Sequence, residues 1–195
     1  MRVMGVDPGL ARCGVAVVDA DGPRVTLAAE QLIRTPPELP VGQRLAGVAD
    51  AIGDLLSTWA PDVLAIERLL FNANARSAMA VAQAVGVILL SAARAGVDVV
   101  DYTPTQVKAT VTGHGDADKA QVKYLIAAQL RLPPVSRPAD VADAAAVALC
   151  HVWRAGDVHA GGTGGYSPRL AAALEQAGPG AQVVQPAPVA GGDAS

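Results

Sequence analysis

Two short apolar runs, VMGV at residues 3–6 and VLAI at 63–66, each stop at an acid, Asp7 and Glu67. A strand that is apolar at every position needs cover on both faces, which is the condition of an inner strand in a sheet sandwiched by helices. In open α/β sheets, ligands gather outside the carboxyl ends of the strands. If these two strands are parallel neighbours, Asp7 and Glu67 stand side by side at that edge. Each acid also has a plainer account when taken singly. Asp7 can form an Asx-type turn ahead of Pro8, and Glu67 can be a solvated strand end paired with Arg68.

Around these runs the pattern predicts strands at 2–7, 14–20 and 24–34, with DADG at 19–22 as the Asp-Gly turn of a hairpin and Gly14 and Gly22 as joints. Leu45, Val48, Ile52, Leu55 and Leu56 recur at helical spacing and predict a helix over 41–59, ended by Pro61. A fourth strand at 62–67, a helix at about 75–94 and a fifth strand at 97–103 follow. Helices at about 104–111, 118–130 and 138–154 complete the order. This succession predicts an α/β protein with a five-stranded mixed sheet and helices on both faces.

The expected domain covers residues 1–155. More than half of residues 156–195 are Gly, Ala or Pro with no sustained period, which predicts a disordered tail. The longest apolar stretch, 77–93, contains Gln83 and is shorter than the roughly 20 residues a bilayer span needs. It reads as a buried core helix, and no membrane association is expected.

The last helix makes the strand-end acids more telling. RPADVADAAAVALC carries Asp140 and Asp143 three residues apart, on one helical face. The macrodipole alone accounts for an acid in the first turn, as at Asp140. It accounts less well for Asp143, because residues 141–150 are otherwise apolar all round, the mark of a buried helix. Four carboxylates brought together repel one another unless a cation neutralises them. Oxygen donors without a Cys or His set suit a hard ion such as Mg²⁺ or Mn²⁺. Two such ions about 4 Å apart serve phosphoryl transfer.

Net charge is −3 over 195 residues, so the chain is no bulk polycation, and any polyanion site must be a local patch. The two cysteines, Cys13 and Cys150, form no CxxC motif and no disulfide framework. With no basic, apolar leader at the start of the chain, this composition points to the cytoplasm.

Four segments, GVDPGLARCG, AIER, TPTQVKATVTGHGDADKAQV and ADVADAAAVALCH, occur in order over about residues 1–154. In sequence and spacing they closely resemble the RuvC-type Holliday junction endonucleases of bacteria. The resemblance implies a ribonuclease H-like fold, a homodimer, and dependence on Mg²⁺ or Mn²⁺, with two ions in each active site. It implies cleavage of four-way DNA junctions by two symmetric nicks that leave 5′-phosphate and 3′-hydroxyl ends, in recombination and repair. A partnership with the RuvA–RuvB branch-migration complex is implied in the same way.

Carried over residue by residue, the acidic tetrad of that family falls on Asp7, Glu67, Asp140 and Asp143, as metal ligands and catalytic acids. Asp7 and Asp140 are then expected to share one ion and Glu67 to hold the other, with Asp143 completing the cluster or orienting water.

Taken alone, Lys108, Lys119 and Lys123 describe a solvated helix face. The resemblance makes Lys108 and Lys119 contacts to DNA near the scissile bond, and with Lys123, Arg76 and Arg68 they supply a local basic patch. Leu70 stands where many members of the family carry an aromatic that stacks into the opened junction, and Phe71 comes next. Either can act as a wedge that unstacks a base step, or both can cap the core. The turn TGHGD, with His114, suits a phosphate contact and a plain helix–helix turn equally well. Cys150 and His151 read as structural.

Two rival readings remain in view. An actin-like ATPase or sugar kinase also ends its first strand in Asp-x-Gly, but needs a second phosphate loop and a duplicated domain for which this chain has no room. A catalytically inactive junction-binding protein with the same fold would gain nothing from acids turned toward DNA phosphates.

Overall fold

The computed structural model describes residues 1–68, 75–112, 119–130 and 138–158, without the side chains of 75–77, 119, 120, 122, 123, 129 and 156–158. Ten elements follow one another: β1 (Arg2–Asp7), β2 (Arg12–Asp21), β3 (Arg24–Arg34), α1 (Val41–Trp59), β4 (Val63–Glu67), α2 (Ala75–Ala95), β5 (Asp98–Tyr102), α3 (Pro104–Thr112), α4 (Lys119–Gln129) and α5 (Ala139–Val158). The strands form one sheet in the order β3-β2-β1-β4-β5. β1, β2 and β3 pair antiparallel, and β1, β4 and β5 pair parallel.

Alternate residues of the inner strands feed two cores. Val3, Ala16, Val18, Val63 and Ala65 face α3, α4 and α5. Met4, Val6, Val15, Val17, Leu64 and Ile66 face α1 and α2. Both faces of the sheet are therefore covered, which is what the unbroken apolar strands require.

α5 lies against β1 and β2 at unusually close range. A Cβ built on Gly5 would fall 2.1 Å from the carbonyl oxygen of Ala144, and one on Gly14 2.0 Å from that of Asp140. The alanine-rich face of α5, with Ala144 and Ala148 fully buried, is the other half of this contact. Gly14 is therefore not a joint: it lies inside β2, and its missing side chain makes room for the helix. The helix also runs to Val158, past Gly156, since a single glycine weakens a helix without stopping it.

The β2–β3 hairpin turns on Gly22 and Pro23, because Asp21 already pairs with Arg24. Gly22 has φ 54° at the first central position, as a type II′ turn demands. At this end of the sheet Arg2 fastens β1 to its surroundings. Its guanidinium forks onto Asp19 at 2.7 and 3.0 Å and donates to the Trp59 carbonyl at 2.8 Å.

α2 departs from expectation. Ile88 and Ala92 are fully buried against α1 and the sheet, and Ala84 is also fully buried, but Met79 is 62% and Leu90 50% exposed. The window Ala78–Ala95 passes for a membrane span by length and composition alone, and 17% of it is buried. The helix is a core element on one face and an open apolar surface on the other.

α1 ends at Ala60, which closes the helix in the left-handed region at φ 42° and donates its N–H to the Leu56 carbonyl at 2.9 Å. Glycine occupies that conformation without the Cβ penalty of roughly 1–2 kcal/mol. Ala60→Gly is therefore expected to raise stability by about 0.5–1 kcal/mol, read as an increase of a few degrees in Tm.

Candidate active site

The parallel register of β1 and β4 sets Val6 opposite Ile66. The next residue of each strand is its acid, so Asp7 and Glu67 end neighbouring strands at the same edge. On its other side Asp7 pairs with Gly14 of β2, and Gly14 is the residue on which the backbone of Asp140 rests. One corner of the sheet thus gathers two strand ends and the first turn of α5. Asp143 lies one turn further along that helix, half-buried at the head of a run in which residues 144–150 are all buried.

Cys13, beside this corner, senses the arrangement. Burial pushes its thiol up to about 12, and the negative charges of Asp7 and Asp140 push in the same direction, against a hydrogen bond from the backbone of Gly9. The carboxyl of Asp140 is held below its ordinary value, chiefly by hydrogen bonding to Arg12, with Arg12 and Arg34 adding long-range attraction and burial opposing. The Arg12 guanidinium donates through Nε at 3.0 Å and Nη2 at 2.6 Å, both to Asp140 Oδ2.

As they stand, no three His, Cys, Asp or Glu side chains among the described residues are close enough to share an ion. The backbone brings the four acids to one edge, but the carboxylate of Asp140 is turned to Arg12. The donor set fits a hard divalent cation in kind, being all carboxylate oxygen. It fits in place as well, at the carboxyl ends of parallel strands. It is not preassembled in distance.

Arg68 does not pair with Glu67. Its guanidinium meets the carboxylate of Asp101, and its N–H donates to the Tyr102 carbonyl at 2.7 Å, extending β4 along β5. Lys108 sits half-buried on α3, whose start is fixed at the same end of the sheet by Thr103 and Gln106. The Gln106 N–H donates to Thr103 Oγ1 at 3.2 Å while Gln106 Oε1 accepts from the Thr103 N–H at 2.9 Å. This is a capping box, with Pro104 at the first helical position.

The backbone of Lys119 and Lys123 belongs to α4 and that of Arg76 to α2, with their side chains outside the described residues. Leu70, Phe71 and His114 also lie outside them, as does the expected tail from residue 159 onward. His151 receives a structural role: its Nδ1 lies 2.8 Å from the Tyr102 hydroxyl, and burial lowers its pKa. Cys150 is buried next to it and donates to the Gln106 carbonyl at 3.8 Å.

Arg12 and Arg34 had no place in the sequence reading. They face each other across the β2–β3 ladder. Arg12 follows Asp7 by five residues, but nothing local marks a partner in a helix 128 residues away.

A five-stranded mixed sheet with this strand order, helices on both faces and acids at the ends of its central parallel strands defines the ribonuclease H-like class of nucleases. Residues 3–151 match the family model described as "Crossover junction endodeoxyribonuclease RuvC". A protein of that name from Mycolicibacterium vanbaalenii is 51% identical over 156 residues, 80% of each chain. The solved structure of Thermus thermophilus RuvC is similar with a TM-score of 0.77 and 33% identity, over 81% of this chain and 97% of that one. T. thermophilus RuvC in complex with Holliday junction substrate is similar with a TM-score of 0.76 and 33% identity, over 80% and 94%. The chain belongs to the RuvC family of crossover junction endodeoxyribonucleases.

Proposed function

We propose that this chain is a Holliday junction resolvase, a structure-specific DNA endonuclease that makes two symmetric nicks in a four-way junction and leaves 5′-phosphate and 3′-hydroxyl ends. The supporting observation is the meeting of Asp7, Glu67 and the first turn of α5 at one sheet corner, in a member of the RuvC family.

Asp7, Glu67, Asp140 and Asp143 are the residues that would hold two Mg²⁺ or Mn²⁺ ions, Asp7 and Asp140 on one and Glu67 on the other. Bound there, such ions supply Lewis-acid stabilisation of the phosphoryl oxygens and lower the pKa of water. The protein contributes rigidity: ladders on both sides of β1 fix Asp7, and the glycine contacts fix the height of α5 above the sheet. Asp143 would complete the cluster or orient the attacking water. Lys108, Lys119, Lys123 and Arg76 contact phosphates, and Leu70 or Phe71 supplies the wedge.

Two active sites match the two-fold symmetry of the junction, and the outer face of α2 is the surface on which a second copy packs. Met79, Gly86 and Leu90 recur at seven- and four-residue intervals along that face, and Gly86 has open space where a side chain would stand. A largely apolar exposed stripe, interrupted by Gln83 and with Gly86 near its centre, suits close approach of an equivalent helix. Two buried free cysteines agree with a reducing cytoplasm. Partnership with the RuvA–RuvB complex rests on family membership alone.

Purified protein given a mobile-core four-way junction and a linear duplex of the same sequence is expected to nick the junction only, in symmetric pairs. Chelator should abolish cutting, and Mg²⁺ or Mn²⁺ should restore it. Binding of the junction in chelator with no cutting after either ion is added would establish a non-catalytic junction binder instead.

A further inference from the structure

We infer that Arg12 is a displaceable counter-ion for Asp140: it neutralises this carboxylate while no divalent cation is bound, and has to release it before Asp140 can serve as a ligand. The inference rests on the assignment of Asp140 to the metal site made above.

The geometry is that of a competitor. Both bonds from Arg12 converge on the single oxygen Oδ2, so Oδ1 takes no part in the pair. The Arg12 side chain is 44% exposed and that of Asp140 23%. An ion pair this open to water holds weakly, and it yields to a dication held by several carboxylates at once.

The main chain at Arg12 is pinned, so exchange needs only side-chain rotation. The Thr35 hydroxyl donates to the Leu10 carbonyl, the Thr35 N–H donates to the Ala11 carbonyl at 3.3 Å, and Arg44 Nε donates to Thr35 Oγ1 at 2.9 Å. Just before them, Gly9 packs so tightly that a Cβ there would lie 2.2 Å from the Arg12 carbonyl oxygen. Arg12 itself is held in the β2–β3 ladder opposite Arg34, a second cation that attracts the same carboxylate.

The test measures Mn²⁺ binding to the full-length, metal-free protein without DNA, by electron paramagnetic resonance of free Mn²⁺. R12Q is expected to bind Mn²⁺ about two- to fivefold more tightly than wild type, the range open to a half-exposed pair. R12K keeps the charge and should stay near wild type. R24Q removes a charge at the start of β3, opposite Asp21 at the far end of the ten-residue β2 and about 30 Å from Arg12, and should leave binding unchanged. In a D140N background R12Q should no longer tighten binding.

Equal or weaker binding by R12Q overturns the inference, as does tightening that persists in D140N or appears equally in R24Q. Failure of the metal assignment looks different: D7N and E67Q would then bind Mn²⁺ as wild type does, or wild type would bind none.

Discussion

Asp7→Asn is expected to give a folded protein that still binds a four-way junction but cuts it about a thousandfold more slowly or worse. Asn matches Asp in size and retains one oxygen, so the strand end and its pairing with Gly14 should survive. What goes is the charge that holds a hard cation, and a thousandfold loss corresponds to about 4 kcal/mol of transition-state stabilisation. Binding should hold or tighten in chelator, since a negative charge facing the phosphates has been removed. Glu67→Gln, on the adjoining strand, should behave in the same way. The measurements are junction binding by mobility shift in chelator and single-turnover cleavage in Mg²⁺. Cleavage by Asp7→Asn at the wild-type rate would remove the acids from the mechanism, whatever family the chain belongs to.

The parts of this site that could be read from the sequence are those fixed by local pattern. An apolar run ending in an acid states its own strand end, and two such runs imply a shared edge if the strands are parallel neighbours, as β1 and β4 are. α1 spans 41–59 as expected because its apolar spacing is regular and Pro61 follows. The capping box of Thr103 and Gln106, which the sequence reading did not single out, marks the start of α3.

What could not be read depends on partners distant in sequence. Whether Arg68 turns to Glu67 or to Asp101 is decided by the β4–β5 pairing. The outer face of α2 carries Met79, Leu89 and Leu90 beside Gln83 and Arg94, so composition implied burial where the fold leaves exposure. An extra residue at Ala28 shifts the β2–β3 register between Val17 and Val18, and with it decides that Arg34 stands opposite Arg12. Gly14 resembled any strand joint until α5 was seen to rest on it.

That contact carries the second large effect. Gly14→Ala is expected to destabilise the protein by about 3 kcal/mol, lowering Tm by roughly 6–12 °C, and to cut junction cleavage about a hundredfold in the molecules that remain folded. The new Cβ would meet the Asp140 carbonyl oxygen at 2.0 Å, its carbon at 2.3 Å and the Val141 nitrogen at 2.8 Å. All three are backbone atoms, so no side chain can yield. The first turn of α5 has to lift, and it takes Asp140 and Asp143 away from the ends of β1 and β4.

Gly47→Ala in α1 is the control. Apart from the backbone of its own helix turn, no atom lies within 4 Å of its Cβ position, and Ala is the better helix former there by roughly 0.5–1 kcal/mol. The same substitution is therefore expected to stabilise at one glycine and destabilise at the other, with cleavage lost only at Gly14. Thermal unfolding in chelator reports the packing, and cleavage at a temperature where both variants are fully folded reports the position of the acids. Wild-type stability and cleavage in Gly14→Ala would mean that α5 does not rest on β2 at this residue. The acids of α5 would then lose the support that holds them at the strand ends.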